Sequence, residues 1–158
     1  MIRSDQIMKT VEMIQKENLD VRTVTLGISL LDCRQGSAVA TAQAIEDKIR
    51  RLAGSFVATC DRVGRKYGVP VVNKRVSVTP VAHVGAGFST EEFVLLAQAL
   101  DHAAGEVGID IIGGFSANVE KGIGRGAARL IEAVPEALAG TERVCSSINA
   151  GSTRHGLN

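Results

Sequence analysis

The sequence predicts an α/β fold built from alternating α-β units with mostly parallel strands. Three observations carry that expectation. Apolar residues recur at helical spacing in four segments, runs rich in β-branched residues separate those segments, and the intervening helices are long enough to cross over between parallel strands. A chain of 158 residues fits one domain, 1–158, and can bury a real core.

The elements follow in order. Residues 4–17 read as a helix, with Ile7, Val11 and Ile14 on one stripe, Ser4 as a candidate N-cap and Asn18 as its end. Residues 21–31 read as a strand whose Val24, Leu26, Ile28 and Leu30 share an apolar face. Beyond the turn-like Asp32 to Gly36, one long helix is expected over 37–67, with Ala42, Ile45, Ile49, Leu52, Phe56, Cys60 and Val63 stepping by three or four and Gly68 closing it. A second strand, 70–79, stops at Pro80. Ser89 and Glu92 have the spacing of a capping box, opening a helix to about residue 107 that buries Phe93, Leu96, Leu100 and Val107. A third strand is expected over 109–115, a helix over 124–139 whose last turn Pro135 disturbs, and a fourth strand over 143–149.

Strand parity separates this chain from an ordinary doubly wound protein, whose strands are apolar on both faces. Opposite the apolar face, the first strand places Thr23, Thr25, Gly27 and Ser29, the second Asn73, Arg75, Ser77 and Thr79, and the fourth Cys145, Ser147 and Asn149. If helices cover the apolar face, the polar face looks either at water or at a cavity. The same parity turns Lys74 toward the helices, where its stem can snorkel.

Composition excludes several roles. Eighteen basic residues are interspersed with seventeen acidic ones, so no electrostatic footprint for nucleic acid is present. Aromatic content of 3% leaves no stacking platform for bases or sugars. No apolar run approaches a membrane span and the amino terminus is charged, so a cytoplasmic location without membrane contact is expected. Cys33, Cys60 and Cys145 are too few and too far apart for a disulfide framework, and no pair of His or Cys residues has metal-ligand spacing.

Chemistry-bearing residues collect at expected strand ends, where α/β proteins bind ligands. Arg75 can hold an anionic group through its planar fork. The stretch from Gly113-Gly114 through Ser116 and Asn118 to Lys121-Gly122-Ile123-Gly124-Arg125-Gly126 reads first as a structural loop and second as an anion cradle before a helix, since its glycine spacing matches neither a dinucleotide fingerprint nor a phosphate-binding loop with lysine. Cys145 could pair with His155 as a nucleophile, although a structural cysteine is the simpler reading. His83 and Asp32, each beside a strand end, are open to either reading, whereas Cys60 belongs to a core stripe. The residues expected to line a ligand cavity are Asn73, Arg75, Ser116, Cys145, Ser147, Asn149, Ser152 and Thr153.

Residues 19–28, 31–33, 71–80, 112–117 and 144–153 together resemble uncharacterised protein family 0210, also called domain of unknown function 711. Members of that family are much longer, so the chain is similar to their amino-terminal third, a fragment of a longer barrel protein. The resemblance implies an α/β barrel like that of the pyruvate formate-lyase-like glycyl radical enzymes, without their chemistry. No Arg-Val-x-Gly-Tyr type segment and no neighbouring cysteine pair is present. It also implies a small ACT-domain protein as a partner. No catalytic residue or cofactor carries over. The functional expectation is therefore a polar, enzyme-like or metabolite-binding cavity for a small anionic metabolite. The alternatives are a regulatory binding protein without catalysis and a barrel-completing structural piece, and open strand edges favour a homo-oligomer.

Overall fold

In the computed structural model, residues 3–17, 20–154 and 156–157 are described. Four parallel strands form one sheet, β1 (Val21–Ile28), β2 (Val71–Val78), β3 (Ile111–Asn118) and β4 (Val144–Asn149), in the spatial order β1-β2-β3-β4. Each crossover therefore steps to the neighbouring strand in one direction, and connections of one hand bring the crossover helices to the same face. That face holds the core. Ile28, Val76, Val78, Ile112, Phe115, Ala117 and Val144 meet Ile45, Ile49, Leu96, Leu100 and Leu130 from the helices. β1 and β4 are the sheet's edges, so within the described residues the sheet stays open.

α1 (Ser4–Glu17) begins one residue before the expected cap is used, because the Arg3 carbonyl already accepts from Ile7 N–H at 3.2 Å and Ser4 lies inside the helix. Its apolar stripe stays outside the core, and Ile7 is 52% exposed. The expected end at Asn18 lies outside the described residues.

The long helix expected over 37–67 is two helices, α2 (Ala38–Ala53) and α3 (Phe56–Tyr67). The chain breaks at Gly54-Ser55, where Ser55 leaves helical geometry with φ −104° and ψ 0°. The break re-aims α3 onto β2, buries Cys60 and lets Asp61 pair with Lys74 at 3.3 Å, while Leu52 and Val63 of the expected stripe remain exposed. Gly68 ends α3 in the left-handed region at φ 70°, as a C-terminal glycine can without a Cβ clash.

A short helix, α4 (Val81–Val84), follows the Pro80 turn and was not expected. Arg34, just past the turn at Leu31–Cys33, donates to the carbonyls of Val84 at 3.2 Å and Ala86 at 2.6 Å, tying two strand-end loops together. α5 (Thr90–Glu106) opens with the expected capping box: Ser89 Oγ accepts from Glu92 N–H at 3.3 Å, and the Glu92 carboxylate accepts from Ser89 N–H at 2.7 Å. Phe93, Leu96 and Leu100 are buried as the spacing requires.

α6 (Arg125–Ala139) runs through Pro135 rather than ending there. Proline removes one N–H, but Ala133 and Ala137 are fully buried on either side of it, and their packing holds the last turn. A short antiparallel hairpin, β5 (Gly151–Ser152) with β6 (Gly156–Leu157), follows β4 and was also not expected. Among the described residues no helix is long and apolar enough to cross a membrane.

Candidate functional site

The uncovered face of the sheet is the polar one, as parity predicts. Thr23, Thr25 and Gly27 on β1, Arg75 and Ser77 on β2, and Cys145, Ser147 and Asn149 on β4 are all exposed. Register turns these positions into rows. Thr25, Arg75 and Ile111 lie side by side, then Gly27, Ser77, Gly113 and Cys145, then Ser116 beside Ser147.

Ser116 of β3 joins this face only because of a bulge. The pairing shifts between Gly113 and Phe115, leaving Gly114 as the extra residue. Without it, simple alternation would put Phe115 in water and Ser116 in the core. With it, Phe115 is fully buried and Ser116 stands opposite Ser147. Gly114 has φ 121°, and a Cβ there would sit 2.5 Å from the Val78 carbonyl oxygen, so the bulge requires glycine. The strand consequently runs from Ile111 on to Asn118, three residues past the end expected at 115. The glycine-rich loop is shorter, residues 119–124.

The rows enclose a trough of ≈ 390 Å³. It brings together four of the expected residues, Arg75, Ser116, Cys145 and Ser147, and adds Thr25, Ser77, Gly113 and Gly114. Thr25 and Ser77 were on the predicted polar face, and parity was the signal for them. The two glycines gave a different one, since a Gly-Gly pair inside an apolar run marks a bulge.

The other four expected residues lie outside the trough. Asn73 is spent on the sheet, its amide donating to the Arg22 carbonyl at 2.9 Å. Asn149 is exposed at the end of β4, and its backbone carbonyl accepts from Val119 N–H at 2.8 Å. Ser152 belongs to the hairpin, and Thr153 is exposed in its turn.

Arg75 sets the electrostatics. Its Nε donates to Thr25 Oγ1 at 3.3 Å, which turns the guanidinium along the face. No carboxylate lines the trough, and none of the ion pairs among the described residues uses Arg75. Lys74, one position away, is neutralised by Asp61 on the covered face. The trough thus combines one cation with hydroxyl donors and a thiol, an arrangement suited to an oxyanion.

The remaining candidates sit elsewhere. Cys33 and Cys60 are buried, and desolvation pushes both thiols up, away from the thiolate a nucleophile needs. Cys145 is exposed in the trough, and its proposed partner His155 lies outside the described residues. Asp32 is bound to Lys48 of α2, and that hydrogen bond holds its carboxyl below the usual range. His83 lines a second depression of ≈ 350 Å³ with Asn118 and the first residues of α6. Among the described residues no group of three or more His, Cys, Asp or Glu side chains could hold a metal ion.

Over residues 12–158 the chain matches the family described as Uncharacterised ACR (DUF711). It belongs to that family. DUF711 resemblance extends to curated relatives, each named UPF0210 protein. The relative from Oleidesulfovibrio alaskensis is 54% identical over the whole chain, which covers 35% of that protein. Those from Desulfovibrio desulfuricans and Pelotomaculum thermopropionicum are 52% and 51% identical, again over the whole chain, with 34% and 35% of their lengths covered. The chain thus spans about a third of the length of these DUF711 relatives. Within it, the trough is built mainly from four of the segments that carry the family resemblance, 19–28, 71–80, 112–117 and 144–153.

Proposed function

We propose that the open face of the sheet is one wall of a binding cavity for a small anionic metabolite, with Arg75 as the anchor. The observation that carries this reading is a strand arginine without a carboxylate partner among the described residues, set in a trough lined by hydroxyls. Arg50 on α2, by contrast, pairs with Glu106 at 2.7 Å. The cavity belongs to a cytoplasmic protein of enzyme-like or metabolite-sensing type.

The fuller fold reading is a formate-lyase-like barrel. Strands in sequential order, helices on one face and a polar opposite face are the features of a barrel wall, and a barrel interior would enclose the trough. Two unpaired edges, β1 and β4, favour a second role for this piece in completing such a barrel with further strands.

The test is anion binding followed by ligand-observed NMR with inorganic phosphate and acetate. Arg75→Gln is expected to abolish binding while leaving the circular dichroism spectrum and melting curve as in the parent. Binding that survives the substitution would refute the anchor.

A further inference from the structure

Resting on that reading, we infer that the ligand is an elongated, hydroxylated oxyanion lying along β3, its anionic end over Arg75 and its hydroxyl-bearing end between Ser116 and Ser147. The register sets the order. Arg75 occupies one row, Ser77, Gly113 and Cys145 the next, and Ser116 with Ser147 the third. Two strand residues separate successive rows, so the backbone rows of Arg75 and of Ser116 with Ser147 stand about 13 Å apart along the strands. A compact anion held by the guanidinium would satisfy one end only.

Along β3 the floor between the ends is bare. A Cβ built on Gly113 meets nothing within 4 Å, and the same holds for Gly27 in that row. Gly114 cannot carry a side chain on account of Val78, so β3 presents backbone alone across the middle of the trough. A ligand body can lie there against the sheet, beside the Cys145 thiol.

The far end is built to receive hydrogen bonds as well as to give them. Ser116 is one of two buried polar side chains among the described residues, at 9% exposure, and the bulge is what turns it to this face. Its hydroxyl donates to the Gly114 carbonyl at 3.3 Å, longer than a well-formed O–H···O bond, so that interaction is readily exchanged for one to a ligand hydroxyl. Ser147 faces it across the strand pair. One charge at one end, no β3 side chain in the middle and paired hydroxyls at the other end describe a polyhydroxylated phosphate or carboxylate.

Titration calorimetry on the 158-residue chain with four probes separates the possibilities: ribose 5-phosphate and gluconate as long probes, inorganic phosphate and acetate as short ones. The long probes are expected to bind more tightly than their short counterparts, and preference between the two long probes identifies phosphate or carboxylate as the anionic end. Gly113→Val introduces a strand-favouring residue into open space, so it should melt with the parent. It is expected to weaken the long probes at least tenfold, the scale on which a pocket rejects a misfitting group, and to leave the short ones unchanged. If Gly113→Val is itself unstable, the Ser116→Ala/Ser147→Ala double variant reads the same difference. Long probes that bind Gly113→Val as well as the parent, while Arg75→Gln loses them, would overturn the elongated ligand and keep the anchor. Probes indifferent to Arg75→Gln, or no binding by any of the four, would overturn both.

Discussion

The two faces of the sheet obey different rules. On the covered face, Leu26, Ile28, Val76, Val78, Ile112, Phe115 and Val144 form an apolar centre packed against α2, α5 and α6. On the open face the same strands carry Thr, Ser, Cys, Gly and one Arg, and nothing among the described residues packs over them. A parallel sheet ordinarily has both faces covered. The difference teaches that the covered face supplies the folding energy, while the open face is free to be polar because it contributes little to stability. An arginine without a counter-ion can persist there, where it remains hydrated.

Phe115→Ala gives the largest effect expected from this contrast. Phe115 is fully buried through the bulge, and its loss should cost about 3–5 kcal/mol in denaturant unfolding. A loss below about 1 kcal/mol, the range of surface substitutions, would mean that the ring does not belong to the covered face. Gly114→Ala comes next. Its positive φ and the 2.5 Å approach to the Val78 carbonyl predict about 1–3 kcal/mol of destabilisation. Cross-linking sharpens this result: Ser116→Cys with Ser147→Cys should form a disulfide in the parent background and form it less completely with Gly114→Ala, because the bulge sets that register.

Ser77→Ala, on the open face, should change stability by no more than about 0.5 kcal/mol in the same measurement. A larger loss would show that this face is packed after all. The smallest expected effect lies on the covered side, at the turn after β1. The Lys48 hydrogen bond depresses the Asp32 carboxyl, so the pair stabilises the fold above the ordinary carboxylate range and loses that stabilisation as the pH falls through the depressed value. Melting curves of Asp32→Asn should match the parent in strong acid and fall slightly below it at neutral pH. A difference that grows toward low pH would have the wrong sign for this pairing.

Much of the site was legible because parity is local. The alternation of Val76 and Val78 with Arg75 and Ser77 is written in the sequence, and a parallel sheet with one-sided helices converts it directly into two faces. The capping box at Ser89 and the closing glycine at 68 were legible for the same reason: each depends on residues within a few positions. What failed depended on distant partners. The break at Gly54 is fixed by the position of β2 under α3, and the persistence of α6 past Pro135 by packing at Ala133 and Ala137. Asn73 looks like a ligand donor in sequence, and only the neighbouring strand's carbonyl shows that it is engaged.

By itself the sequence determined the α/β class, the alternation of the four sheet strands with helical segments and the polarity of one strand face, since these follow from side-chain period and short-range capping. Tertiary structure alone decided that Gly114 is a bulge, that Ser116 therefore turns outward, and that Arg75 shares a trough with Ser147 two strands away. Those facts depend on register, which strands acquire only when they pair.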